Sequence, residues 1–139
     1  MSNLNSIRTR IALIGLLVTL ALVLVAAAQT GSGLRTKVVE LDPLAGEYTR
    51  VLGGPPETAT MRSGYVVVEP SKSVGKHSTE TYEEAVIVFA GVGEMRLSNG
   101  SVLKLKPYVV VYCPPDTEHD VVNTGSEPLR YVYVVAKAR

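Results

Sequence analysis

The sequence predicts an all-β domain that follows a hydrophobic N-terminal helix. Beyond residue 36, short runs rich in Val, Ile, Tyr and Thr recur between turn residues, and helical periodicity is nearly absent. Before residue 29, the 18 residues from 11 to 28 are apolar except for Thr19. The first observation indicates a sandwich or barrel of short strands, and the second indicates a targeting or membrane segment.

The apolar N-terminal run has the organisation of an export segment. Arg8 and Arg10 precede it, and three alanines end it at residues 26–28, so cleavage before Gln29 is expected if it is a signal peptide. Its length also fits an uncleaved membrane anchor, and a buried core helix is the remaining alternative. We therefore expect a signal peptide or anchor at residues 1–28, a linker at 29–36 and a β-barrel domain at 37–139 outside the cytoplasm.

Composition narrows the classes of function. The 139 residues carry 14 Lys and Arg against 13 Asp and Glu, a net charge of +1 that argues against a nucleic-acid partner. A single Cys excludes an intrachain disulfide and a thiolate zinc cluster. Because only two His are present, a metal site built on imidazoles would need both.

The β-rich body divides into nine candidate strands. Asn99-Gly100, between two apolar runs, predicts a tight hairpin turn, since both residues tolerate positive φ. The candidate strands are residues 36–41, 58–61, 64–69, 85–90, 94–97, 102–105, 109–113, 118–123 and 129–136.

Three of these strands are apolar on both faces. Residues 85–90, 109–113 and 131–136 lack the alternation of a strand with one face in water, so both faces need cover. We expect a second subunit to provide it in a homodimer. The alternative is that the N-terminal strands of the same chain provide it.

Two short motifs carry the residues capable of metal chemistry. The first contains His77, Thr79 and Glu84, with six residues between Glu84 and Gly91. The second begins at Pro114-Pro115 and contains His119 and Asn123. In this order and spacing, over roughly residues 60–136, they resemble the two motifs of the cupin superfamily. The resemblance implies a double-stranded β-helix of the jelly-roll type, usually dimeric, with one divalent metal ion in its mouth.

The first motif departs from the family pattern at a ligand position. Where the family has a second His, this chain has Thr79, whose hydroxyl is a poorer ligand than imidazole. The resemblance leaves His77, Glu84 and His119 as the metal ligands, with Thr79 at the vacant position. Asp116 replaces a motif glycine and tolerates the same turn.

The residue types support this ligand set independently of the resemblance. Two imidazoles and one carboxylate leave coordination positions open and suit Fe, Mn or Zn, and we keep Ni as a further candidate. Since alternate strand residues face opposite sides, only one of Glu83 and Glu84 can face the interior. Spacing favours Glu84, with Glu83 as the fallback. Tyr82 is the tyrosine best placed to act as an acid or base, and the alternative is that it only packs.

The sequence therefore predicts an exported metal-binding protein that binds or transforms a small polar molecule. Inward Val86 and Val88 would supply an apolar pocket wall, Cys113 would pack in the core and Asn123 would close a turn. If the protein is an enzyme, the resemblance implies a metal-dependent dioxygenase, isomerase or lyase. The alternatives are a non-enzymatic binding or sensing barrel and a metal-free barrel that serves dimerisation.

Overall fold

The computed structural model describes residues 34–138. The expected signal peptide or anchor at 1–28, and most of the linker, lie outside the described residues. No described residue is helical, and this part of the chain offers no helix long and apolar enough to span a bilayer. The strands of the described residues are β1 (Tyr48–Gly53), β2 (Arg62–Val68), β3 (His77–Ser78), β4 (Tyr82–Ala90), β5 (Gly93–Leu97), β6 (Val102–Leu105), β7 (Val110–Cys113), β8 (Glu118–Asn123) and β9 (Leu129–Lys137).

The strands form two antiparallel sheets with the connections of a jelly roll. The five-stranded sheet has the order β1-β2-β9-β4-β7, and the four-stranded sheet has the order β3-β8-β5-β6. Chain neighbours β4 and β5 lie in different sheets, as do β7 and β8, so the chain repeatedly crosses from one sheet to the other. The all-β prediction is therefore confirmed.

The main core lies between the inner faces of the two sheets. Val86 and Val88 of β4 are buried there, and Met95, Val121 and Leu129 pack against them from other strands. Cys113 is buried in the same cluster, its Sγ 3.4 Å from Met95 Sδ. Its predicted role as a small core residue is confirmed.

The side-chain amide of Asn123 links the turn between β8 and β9 to this core. Asn123 Nδ2 donates to the carbonyls of Val68 and Glu127, both at 2.8 Å, and its Oδ1 accepts from Gly125 N. Asn123 thus closes the turn between β8 and β9, as predicted, and links it to the end of β2.

Two of the nine candidate strands were wrong. Residues 36–41 form no backbone ladder; the segment contacts the body through side chains, with Lys37 Nζ donating to the Val51 carbonyl at 2.9 Å. Residues 58–61 fold into a turn, because Thr58 N donates to Gly54 O and its hydroxyl donates to Met61 O. Local bonds of this kind compete with strand pairing.

Two strands of the structure, β1 and β3, were not among the nine candidates. The edge strand β1 has a register irregularity between Arg50 and Leu52, which interrupts the alternation by which strands are recognised. The strand β3 has only two residues, too few for any pattern.

The outer face of the five-stranded sheet is covered over only part of its area. Tyr65, Val67 and Val132 of β2 and β9 are buried beneath Leu41 and Ala45, so the chain's own N-terminal segment supplies the cover there. On β4 and β7, however, Phe89, Val110 and Tyr112 are 49%, 64% and 60% exposed. The homodimer stays a prediction.

Candidate metal centre

Three strands bring the predicted ligands together. His77 of β3 lies directly opposite His119 of β8 in the smaller sheet, with ring centroids 4.5 Å apart. Glu84 faces them from β4 of the larger sheet, and its Oε2 lies 3.4 Å from His119 Nε2. One ligand atom from each of the three residues lies within 4.8 Å of the others. This cluster joins the two sheets at one end of the barrel.

The backbone fixes which imidazole nitrogen is available. His77 Nδ1 lies 2.8 Å from the Gly75 carbonyl, and His119 Nδ1 lies 3.3 Å from the Thr117 carbonyl. A carbonyl can only accept, so each Nδ1 donates, and the lone pair of each neutral ring is at Nε2. Metal-bound histidines are commonly oriented by such outer hydrogen bonds.

Burial disfavours the charged forms of two residues in the cluster, His119 and Glu84. His119 is 0% and Glu84 is 7% exposed, whereas His77 is exposed. Desolvation raises the pKa of Glu84, partly opposed by His77. Desolvation also lowers the pKa of His119, partly opposed by its hydrogen bond to Thr117. Although the 3.4 Å contact between Glu84 and His119 has the geometry of an ion pair, both pKa shifts favour the neutral forms of the two side chains.

The cluster fits a divalent cation. His119 Nε2 is buried and has no hydrogen-bond partner among the described residues, an arrangement that is costly unless something else contacts it. A cation at the centre of the cluster would accept that lone pair and favour the ionised form of Glu84. A neutral His119 is also the form that binds metal.

The other predicted site residues occupy distinct positions. Glu83 points to the outer face, where Tyr112 Oη donates to its carboxylate at 3.1 Å, so the fallback does not join the cluster. The hydroxyl of Thr79 donates to Pro114 O at 2.8 Å and accepts from Thr117 N at 2.9 Å. Tyr82 lies on the cavity wall beneath the guanidinium of Arg62. The metal role of Thr79 and the acid–base role of Tyr82 stay predictions.

The cluster opens into a cavity of about 910 Å³. Its apolar wall differs from the predicted one: Val66, Val68, Val121 and Val135 line it, while Val86 and Val88 lie in the core. Sequence reasoning also missed Tyr131 and Tyr133 of β9, Tyr48 of β1 and Arg62 of β2, which line the same space. The alternation of Tyr131, Tyr133 and Val135 along β9 could have indicated the shared face.

The phenols on β9 are held in their neutral form. Burial, with a contribution from the charge of Glu84, raises the pKa of Tyr131 well above the ordinary range. Burial, together with a 3.2 Å contact between the hydroxyls of Tyr133 and Tyr48, also raises the pKa of Tyr133. These side chains therefore offer the cavity neutral hydroxyls.

Comparison with known proteins supports this fold and family. The family model described as "Cupin domain" matches residues 64–135. A Cupin 2 conserved barrel domain protein from Salinispora arenicola CNS-205 is 26% identical with a TM-score of 0.60, covering 73% of this chain and 92% of its own. A search of curated proteins gave no match.

Two further solved structures show the same fold at lower identity. An uncharacterized conserved protein with a double-stranded β-helix domain from Klebsiella pneumoniae is 24% identical, with a TM-score of 0.61 and coverages of 74% of this chain and 91% of that one. A predicted oxalate decarboxylase from Thermotoga maritima is 23% identical, with a TM-score of 0.61 and coverages of 66% and 79%. Together with the match over residues 64–135, the two-sheet topology and the motif positions of His77, Glu84 and His119, these findings show that the chain belongs to the cupin family.

Proposed function

We propose that this protein binds one divalent metal ion through His77, Glu84 and His119 and uses the adjoining cavity to bind a small polar molecule. The observation that carries the proposal is the convergence of three ligand atoms within 4.8 Å, from strands of both sheets. Buried His119 Nε2, which makes no hydrogen bond among the described residues, adds support. Two imidazoles and one carboxylate suit Fe, Mn, Zn or Ni.

The chain's own residues define what such a centre would do. A bound cation supplies Lewis acidity toward an oxygen of the ligand. Carbonyls orient the two imidazoles, and a cation held by only three protein ligands would have coordination positions free for a bound molecule. The valines of the wall exclude water from part of the space, and the neutral tyrosine hydroxyls provide hydrogen bonds to a polar ligand.

Glu83 and Glu84 are adjacent but face opposite sides of β4, so comparing their substitutions tests the ligand assignment. The full-length chain would be produced with Fe, Mn, Zn and Ni supplied, and its metal content measured by mass spectrometry. We expect close to one equivalent in the wild type and in Glu83→Gln, whose carboxylate faces outward. We expect His77→Ala, Glu84→Gln and His119→Ala to lose it. Metal retained in all three variants, or absent from the wild type, would overturn the proposal and favour a metal-free structural barrel.

A binding role without turnover is the second candidate. Thr79 stands where the family has a second His, and its hydroxyl is engaged by two backbone groups. The proposed centre therefore has three protein ligands, a set compatible with ligand sensing as well as with catalysis. Oxygen consumption and product formation with a panel of sugars and organic acids would separate a dioxygenase, isomerase or lyase from a binder.

We also propose an extracytoplasmic location, based on the apolar run at residues 11–28 and its basic flank. N-terminal sequencing of the protein recovered from cell fractions tests this. Cleavage before Gln29 would support a signal peptide, and an intact N-terminus in the membrane fraction would support an anchor. An intact chain in the cytoplasmic fraction would refute both.

A further inference from the structure

Arg62, a cation on the cavity wall, is held in place without a polar partner among residues 34–138. Arg62 of β2 lies opposite Val135 of β9, and Val135 in turn lies opposite Glu84 of β4. These three residues therefore form one row across the inner face of the larger sheet. Arg62 and Glu84 are two strands apart, about 10 Å between backbones at ordinary strand spacing. The arginine thus flanks the candidate metal centre across an apolar side chain.

Two contacts limit the orientation of this arginine. Its guanidinium carbon lies 4.5 Å from the centroid of the Tyr82 ring. Its aliphatic stem packs against Gly54, where an added Cβ would lie 2.8 Å from Arg62 Cγ. Stacking on an aromatic face holds the guanidinium plane and leaves its edge free for hydrogen bonds.

No partner within residues 34–138 occupies that edge. The described residues give the Arg62 guanidinium neither an ion pair nor a hydrogen-bond acceptor, whereas Arg96 on the other sheet is paired with Glu94 at 3.0 Å. Arg62 is exposed toward the cavity, so solvent satisfies it in the free protein. A ligand that enters the cavity therefore meets a positioned cation that no described residue pairs.

The surrounding charges narrow the class of anion. Glu47, Glu69 and Glu80 line the same cavity and disfavour a polyanion such as a phosphate ester. A single carboxylate matches the guanidinium edge through two parallel hydrogen bonds. Between Arg62 and Glu84 the wall is apolar, which suits a hydrocarbon or aromatic body.

We propose that Arg62, held on the Tyr82 ring, binds the carboxylate of an organic acid whose apolar body lies against Val135. This inference deepens the proposed function by naming its ligand class, and it rests on that function only for the use of the same cavity. Lys72 also lines the cavity, but no aromatic contact holds its ammonium among the described residues. It is therefore the alternative cation that the experiment has to exclude.

Benzoate and benzamide form a suitable pair of probes, since they share shape and differ in charge. Isothermal titration calorimetry at pH 7.5 would measure both on the full-length chain, first without metal and then with one equivalent of Zn²⁺. We expect the wild type to bind benzoate roughly tenfold more tightly than benzamide, the scale of a charge-assisted hydrogen bond. In Arg62→Gln this preference should disappear. In the matched control Arg96→Gln, and in Lys72→Gln, it should persist.

Substitutions of Tyr82 test whether its aromatic ring holds the Arg62 guanidinium in position. Tyr82→Phe keeps the ring and should retain the preference for benzoate, whereas Tyr82→Leu should weaken it. Circular dichroism would confirm that each variant is folded. Equal binding of the two probes by the wild type, a preference that survives Arg62→Gln, or one that is lost in Lys72→Gln instead, would overturn the inference. A separate titration with Zn²⁺ alone tests the metal site. If the wild type does not bind Zn²⁺, the proposed metal site is contradicted, whereas the metal-free titration with benzoate still tests the role of Arg62.

Discussion

His119 Nε2 and Glu84 Oε2 approach to 3.4 Å across the gap between the two sheets, and both side chains are buried. Because these two residues come from different sheets, the pair forms only in the folded protein, and a cation bound to it would stabilise the fold. Zn²⁺ at one hundred times its dissociation constant would then add about 2.7 kcal/mol of stability. For a domain of this size we expect a rise in Tm on the order of 10 °C.

Thermal unfolding followed by circular dichroism, with and without Zn²⁺, checks this expectation. Glu83→Gln should shift as the wild type does, because its carboxylate contacts Tyr112 on the outer face. Glu84→Gln should show no shift. An equal rise in both variants would place the cation elsewhere.

Thr79 is expected to stabilise the fold through its hydroxyl. Thr79→Val keeps the shape but removes the donor to Pro114 O and the acceptor for Thr117 N. Loss of these two part-buried hydrogen bonds, each worth about 0.5–1.5 kcal/mol, should lower the free energy of unfolding by about 1–3 kcal/mol. Urea denaturation measures the loss, and Thr79→Ser serves as the control that keeps both bonds. A Val variant as stable as the Ser variant would contradict the assignment.

Two glycines with similar backbone angles should respond differently to alanine. Gly91 has φ of 78°, and an added Cβ would lie 2.5 Å from Pro128 O and 2.7 Å from Leu129 Cα. Gly100, in the hairpin, has φ of 86° but open space around it. Gly100→Ala should therefore cost only the left-handed backbone penalty of about 1–2 kcal/mol.

Gly91→Ala should cost clearly more, because the backbone of the β8–β9 connection has to move. Denaturation midpoints of the two variants give the comparison. Equal losses would show that the contact with Pro128 and Leu129 relaxes freely.

The thiol of Cys113 is expected to be unreactive in the folded protein. Burial, with a contribution from Glu84, raises its pKa to about 11 from an ordinary 9.0. Because the folded-state pKa is the higher one, this group stabilises the fold below pH 9.0, and the contribution disappears as the pH rises through about 11. At pH 8, iodoacetamide should leave the native protein unmodified and label it fully in denaturant, as mass spectrometry would show. Rapid native labelling would contradict the buried position.

The exposed apolar part of the larger sheet is where we expect a second copy to pack. Val110 and Tyr112 of β7 lie on the outer face beside Phe89, beyond the region that Leu41 and Ala45 cover. Val110→Lys should shift a dimer to monomer in analytical ultracentrifugation. The matched substitution Val102→Lys, on the smaller sheet, should leave it unchanged. A monomeric wild type would refute the dimer.

The sequence by itself determined the class of fold and the identity of the ligand candidates. Short runs rich in Val, Ile, Tyr and Thr between turn residues indicated strands, and only two histidines were available for a metal site. Alternation along a strand, a local property, allowed only one of Glu83 and Glu84 to face the interior, and the six residues between Glu84 and Gly91 favoured Glu84.

Tertiary structure decided which side chains share the cavity and how each is held. Arg62, Tyr82 and Tyr131 come from three strands whose order in the sheet, β2-β9-β4, no local pattern encodes. The hydroxyl of Thr79 and the nitrogen Nδ1 of His77 found backbone partners that depend on how the turns fold. Pairing between distant strands is settled by which arrangement buries the apolar faces of the whole domain, so it appears only once the sheets have packed together.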